Sequence, residues 1–226
     1  PTRTETPYMV IEGYSIQRDS DDYEVLEKVK SKEKAIEISG PVRKIGKGDG
    51  SVVYVGQREI ASRVSGVSWC GSDDATTCII VTARNMVTGT VTVSHLDSPE
   101  SCMLFTDCLE STSGGSTLEV CAAGACDCGS EDSLLNAMAL VGSLHRMRST
   151  VVLRSLCILE DNPISPLPLV SGLAICPATG NVINASFTER GPLHDLRFSR
   201  LLVDLAPAEL IEVWNHRTGN LIVKPF

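Results

Sequence analysis

Two residues have the types and spacing to act together on an amide: Cys78 and His95. Cys78 opens the apolar run Cys78-Ile79-Ile80-Val81 and follows a crowd of small and polar residues, Gly71-Ser72-Asp73-Asp74-Ala75-Thr76-Thr77. Taken singly, a cysteine heading an apolar run is a buried core thiol, and one histidine on a strand is structural. The pair says more, because thiol attack on an amide needs a base within hydrogen-bond reach to generate and hold the thiolate. The two positions are 17 apart, an odd separation. In a hairpin with a four-residue loop, residues 85–88 closed by Arg84 and Gly89, they become direct cross-strand partners on one face, with Cβ atoms about 5 Å apart. A slip of one residue would put them on opposite faces. A histidine beside the thiol is expected to lower its pKa. His95 also lies just before a helix start at Ser98, where the positive end of the helix dipole favours the neutral imidazole that a base requires.

The elements that must hold this pair alternate in type. Runs at 52–55, 78–84, 90–96, 118–122 and 151–159 are β-prone, as are 169–176, 182–187, 210–214 and 221–223. The segments at 177–180 and 215–220 read as turns, so hairpins are expected. Ser98 with Pro99 opens one helix, Ser130 followed by Glu131 and Asp132 caps a second, and Gly191 with Pro192 precedes a third. On the second, Leu134, Met138 and Val141 form the expected core-facing stripe. Hairpins mixed with helices predict an α+β fold with a largely antiparallel sheet. Residues 19–39 are charged, with apolar residues at helical spacing, and predict a solvated amphipathic helix. The glycine-rich basic stretch at 41–50 reads as a connector, so the expected organisation is a charged N-terminal segment at 1–50 and a catalytic domain at 51–226.

Composition narrows the classes of partner. A net charge of −8, with no concentrated Lys/Arg stripe, argues against nucleic acid, whose affinity comes mainly from basic side chains. No window approaches the roughly eighteen consecutive apolar residues of a membrane helix, so the chain reads as soluble with no membrane partner. Nine cysteines spread from Cys70 to Cys176 are not a secreted disulfide framework; they suit a reducing cytoplasmic or nuclear compartment. Cys121, Cys126 and Cys128 lack paired metal-ligand spacing and a nearby histidine, so no metal is expected. Nucleotide-binding glycine motifs are missing, and no cofactor is expected.

The blocks Tyr54-Val55-Gly56-Gln57-Arg58-Glu59, Ser72-Asp73-Asp74-Ala75-Thr76-Thr77-Cys78, Ser94-His95-Leu96-Asp97 and 185–192 resemble the protein N-terminal asparagine amidohydrolases of the N-degron pathway. The resemblance implies that Cys78 is the nucleophile and that the substrates are proteins or peptides beginning with Asn. A shorter similarity, to chemotaxis receptor glutamine deamidases and deamidating toxins, implies a Cys–His deamidase-like fold. It also places Ser72 where the former carry a threonine, able to orient the histidine or to donate to the oxyanion. Backbone N–H groups around Thr77 and Cys78 are the natural oxyanion donors. Reading a free α-ammonium calls for a carboxylate, and Glu59, Asp73, Asp74 and Asp97 are the candidates, with Glu59 and Asp74 favoured. Each also has a purely structural use: a loop cap for Asp73 or Asp74, a helix cap for Asp97, and a pairing with Arg58 or simple exposure for Glu59. Two other functions remain open at this stage, a cysteine deamidase acting on internal glutamine and a silent module that binds N-terminal residues.

Overall fold

The computed structural model describes residues 9–11, 14–16, 21–33, 38, 40–159, 170–191, 194–203 and 209–222. In chain order the strands are β1 (Met9–Ile11), β2 (Tyr14–Ile16), β3 (Arg43–Ile45), β4 (Val52–Tyr54), β5 (Glu59–Val64), β6 (Trp69–Ala75), β7 (Ile79–Asn85) and β8 (Val91–Leu96). They continue with β9 (Leu118–Gly124), β10 (Val151–Ile158), β11 (Ser171–Ile175), β12 (Val182–Phe187), β13 (Ile211–Glu212), β14 (Trp214–Asn215) and β15 (Asn220–Leu221). The helices are α1 (Asp22–Glu33), α2 (Pro99–Ser113), α3 (Glu131–Arg146) and α4 (His194–Val203).

The fold is α+β with mostly antiparallel sheets. One sheet runs β13-β5-β8-β7-β9-β10-β1-β2, a second runs β3-β12-β11-β6-β4, and β14 pairs with β15. Alternation along β7 explains the layering. Ile79, Val81 and Ala83 join the core formed with α1, α2 and α3, whereas Ile80 turns the other way and packs with Ala75 and Leu173 of the second sheet. The first sheet therefore lies between helices and the second sheet. On β8, Leu96 faces the helices, and Val91 and Val93 face the second sheet with Val53 and Cys70. His95 shares the side of Val93 by the two-residue period of a strand.

Several expectations change in the structure. β9 and β10 are parallel, joined through α3, and β3 pairs parallel with β12, so the stretch at 41–50 supplies an edge strand as well as a connector. Of the expected α3 stripe, Val141 is buried but Leu134 is exposed; the inward face is instead Ser133, Ala137, Leu140, Val141 and Leu144. Ser130 stands at the N-cap of α3 without a side-chain capping bond. The Ser98 cap is as expected: its hydroxyl accepts from the Ser101 N–H, with Pro99 in the first turn.

The hairpin register is the correction that matters most for the site. His95 pairs with Ile80, not with Cys78. The turn sits one residue later than expected because Asn85 Oδ1 accepts from the N–H groups of Val87 and Thr88, while Gly89 takes φ 71°. A side-chain turn of this kind is a stronger local signal than loop length. The shift displaces the pairing by two positions, and two is the period of the strand. By that period Cys78, one residue before β7 and packed with the cluster of Ile80, falls on the side of Ile80 and His95, diagonal to His95 and not its direct partner.

Candidate active site

Cys78 lies in the short crossing from β6 in the second sheet to β7 in the first. Three successive carbonyls of that crossing are fixed from the far side. Cys126 N–H donates to Thr76 O at 2.9 Å, Asn136 Nδ2 to Thr77 O at 3.2 Å, and Ala125 N–H to Cys78 O at 2.7 Å. Gly124, at φ 125°, lets the neighbouring strand come this close: a Cβ there would stand 2.2 Å from the Cys78 carbonyl oxygen. The thiol is half-buried and pushed up to about 11, first by burial and then by the charge of Asp97, with a Thr77 side-chain hydrogen bond opposing. The expected lowering by a histidine partner is not found: the one opposing contribution is the Thr77 hydrogen bond, and burial dominates.

His95 is buried and depressed to about 4, burial being the main cause. Its Nδ1 lies 2.9 Å from Ser72 Oγ, a fully buried hydroxyl reaching across from β6. Near pH 7 the resting pair is thus a neutral thiol and a neutral imidazole, the imidazole oriented through its Nδ1.

The carboxylates divide sharply. Glu59 is buried; its Oε2 accepts from Gly56 N–H at 2.7 Å and its Oε1 faces Arg197 Nε of α4 at 3.0 Å. Asp73 is buried, accepting from Phe187 N–H at 2.6 Å and Tyr54 O–H at 3.0 Å, with Arg190 Nη2 at 2.9 Å. Burial raises its pKa, and the Phe187 N–H and Arg190 pull against that. Asp74 occupies a bulge at φ 62° where β6 and β11 slip register, and it pairs with Arg190 at an exposed position. Bulges of this kind re-aim side chains beside functional sites.

Asp97 differs from the other three. Its Oδ2 accepts from Gln57 Nε2 at 3.1 Å and lies 3.6 Å from Arg58 Nε. Its Oδ1 is buried with no hydrogen-bond partner among the described residues. The turn carrying Gln57 and Arg58 is latched to the site through Arg58 N–H to His95 O at 2.9 Å. Among the described residues no group of three or more His, Cys, Asp or Glu is placed to hold a metal ion.

The family model for protein N-terminal asparagine amidohydrolases matches residues 42–226. The chain belongs to this amidohydrolase family. Proteins named protein N-terminal asparagine amidohydrolase from Sus scrofa and Homo sapiens are each 29% identical over 192 residues, covering 79% of this chain and 61% of the relative. One from Arabidopsis thaliana is 28% identical over 209 residues, 76% of this chain and 58% of the relative. The chain spans about three fifths of the length of these curated relatives. For this member of the amidohydrolase family, sequence reasoning assigned no role to Tyr54, Gln57, Asn136 or Arg190. Tyr54, Gln57 and Arg190 stand inside the blocks that carry the resemblance, whereas Asn136, on α3, has no local signal.

Proposed function

We propose that this chain hydrolyses the side-chain amide of an N-terminal asparagine through Cys78 and His95. The observation that carries the reading is the 2.9 Å contact between Ser72 Oγ and His95 Nδ1, which occupies one ring nitrogen and leaves Nε2 as the one to serve Cys78. The family match supports the amide as target, and the relatives' printed name supports Asn at the N-terminus.

His95 Nε2 takes the Cys78 proton as sulfur attacks the carboxamide carbon; His95 returns that proton to the nitrogen as the C–N bond breaks, releasing ammonia. Water, deprotonated by His95, then cleaves the thioester, leaving N-terminal Asp and restoring the thiol. The carbonyls of 76–78 are turned away by their partners, so the N–H groups of Thr77 and Cys78 are the donors available to the oxyanion. Asp97 Oδ1 is the reader of the α-ammonium: it is unsatisfied, and its charge is felt at Cys78. Glu59 and Asp73 have cationic partners at 3.0 and 2.9 Å and Asp74 pairs with Arg190, whereas Arg58 stands 3.6 Å from Asp97, on the side of Oδ2.

The proposal includes delivery of N-terminal Asp to the N-degron pathway in the cytoplasm or nucleus. The nine cysteines, spread from Cys70 to Cys176, do not form the dense framework of a secreted disulfide-rich domain, which supports a reducing compartment. Among the described residues no helix is long and apolar enough to cross a membrane. Mass spectrometry of an Asn-initiated peptide tests the reading. A gain of about 1 Da in the free peptide, none in its acetylated form, and loss of the reaction in Cys78→Ser are expected. Equal conversion of the free and acetylated peptides would move the chain to the internal-deamidase class.

A further inference from the structure

Asn136 is a polar exception on the buried face of α3. Ala137, Leu140, Val141 and Leu144 of that helix share a core with Ile79 and Val81, and a leucine, branched at the same carbon as asparagine, would suit the position. Instead an amide is buried there at 1% exposure. Its Nδ2 donates to Thr77 O at 3.2 Å, while its Oδ1 is buried with no hydrogen-bond partner among the described residues. A buried acceptor left without a partner costs more than a neutral hydrogen bond returns, so stability alone does not account for the amide.

What the amide does is fix one peptide plane. A peptide is planar and trans, so its C=O and N–H point in opposite directions. Holding Thr77 O toward α3 therefore turns Cys78 N–H away from α3. The helix covers one side of the first sheet, through the core that takes in Ile79 and Val81, whereas Cys78 packs on the other side with Ile80, the strand partner of His95. Cys78 N–H is thus turned to the side of the nucleophile and the base, and it has no acceptor among the described residues. The flanking carbonyls of Thr76 and Cys78 are held by backbone, by Cys126 N–H at 2.9 Å and Ala125 N–H at 2.7 Å. Of the three, only Thr77 O is held by a side chain, and a substitution can release it.

We infer that Asn136 is a positioning residue that, by holding the Thr77–Cys78 peptide, aims Cys78 N–H at the oxyanion formed when sulfur adds to the amide carbon. The inference rests on the proposed Cys78 reaction, but its central measurement does not need turnover. The probe is a peptide whose first residue carries a side-chain aldehyde in place of the Asn carboxamide. Sulfur bonds to the aldehyde carbon, the C=O pair moves onto oxygen and the thiol proton passes to His95, giving a hemithioacetal oxyanion with no group to leave. Iodoacetamide alkylates the same sulfur by displacing iodide, with loss of the thiol proton to solvent and no oxyanion.

Removing an oxyanion donor outright costs about 10²- to 10³-fold in kcat. In Asn136→Leu the donor is misaimed and not removed, so kcat and aldehyde affinity are each expected to fall at least about tenfold, with KM nearly unchanged. Alkylation of Cys78, followed by peptide mapping, is expected to keep its unmodified rate. A folded Asn136→Leu with native kcat and native aldehyde affinity overturns the inference. A parallel loss of alkylation also overturns it, because the amide would then be placing the thiol and not the donor. Should Asn136→Leu fail to fold, Asn136→Ala removes the same donor without adding bulk and decides in its place. Ammonia release by an unmodified chain that does not bind the aldehyde overturns the inference alone. Aldehyde binding that weakens in Asn136→Leu, with no ammonia released from Asn-initiated peptides, sinks the functional reading and leaves the donor standing.

Discussion

Replacing Asp97 by Asn tests how the N-terminus is recognised. Gln57 and Arg58 hold Oδ2, so the amide oxygen of the variant can keep that place while an NH2 group replaces the unsatisfied Oδ1. The α-ammonium then meets a donor instead of a carboxylate. A hydrogen bond to a charged group contributes about 1.5–3 kcal/mol, and at about 1.36 kcal/mol per decade this is roughly 10- to 160-fold in kcat/KM. Asp97→Asn is expected to lose that factor on a free Asn-initiated peptide and little on the acetylated one, collapsing the ratio between them. The pH profile adds an independent readout. Ordinary α-amino groups titrate at about 7.7–8.0, so kcat/KM of the unmodified enzyme should fall about tenfold per unit above pH 8 as the ammonium is lost. That limb should vanish in Asp97→Asn. Because Asp97 raises the Cys78 thiol, its neutralisation should also speed alkylation of Cys78 by iodoacetamide while turnover of the free peptide drops. Opposite movement of the two rates separates lost recognition from a collapsed site. A free-to-acetylated ratio unchanged by the substitution would refute the assignment.

The remaining expectations concern the pair and its frame. With His95 depressed to about 4, it is neutral above that value, so kcat should hold steady from about pH 5 upward and fall as acid protonates the base; a limb near 6.5 would contradict this. In the resting protein, peptide mapping should find Cys176 alkylated ahead of Cys78. Burial raises Cys176, but hydrogen bonds from Thr179 and Ala178, with Arg84 nearby, together bring it below the ordinary thiol value; faster labelling of Cys78 would contradict both shifts. Glu59→Ala leaves the buried Arg197 guanidinium without its carboxylate and should cost about 3–5 kcal/mol in urea unfolding, whereas a loss under about 1 kcal/mol would show the pair to be dispensable. In the molecules that remain folded, the free-to-acetylated ratio should be unchanged.

The sequence disclosed which residues meet on one face, but not how they are paired. An odd separation of Cys78 and His95 was enough for the face, because shifts of the turn change the pairing in steps that conserve parity when the loop keeps an even length. The pairing itself depended on Asn85 acting as a turn former, a local competition that hydrophobic pattern does not report. β6 escaped notice for a related reason. Trp69-Cys70-Gly71-Ser72-Asp73-Asp74-Ala75 has no β-branched residue, and it becomes a strand because Gly71 admits the backbone of β11: a Cβ there would stand 2.2 Å from Leu173 O. Asn136 was invisible because it approaches the Thr77 carbonyl from a helix 59 positions away. Four acidic residues looked alike in the sequence, and the structure separates them by the close Arg190 and Arg197 on Glu59, Asp73 and Asp74 and by the Oδ1 of Asp97, which has no hydrogen bond among the described residues.

A neutral thiol at Cys78 and a neutral imidazole at His95 are a different resting state from the preformed ion pair of many thiol enzymes, and the fold explains it. Both groups lie in the seam between two sheets, where charge separation without a compensating partner is disfavoured. The same low dielectric strengthens every fixed dipole aimed at the reacting carbon, so N–H groups at Thr77 and Cys78 gain in effect on an oxyanion what the thiolate loses in abundance. Proton transfer to His95 is therefore best coupled to attack, when negative charge passes from sulfur to a held oxygen. An Asp97 left uncovered at rest opposes ionisation of Cys78, and an α-ammonium placed on it would cancel that opposition. On the proposed reading, recognition of the N-terminus and activation of the nucleophile are linked through one carboxylate, which would give acetylated peptides two reasons to be poor substrates.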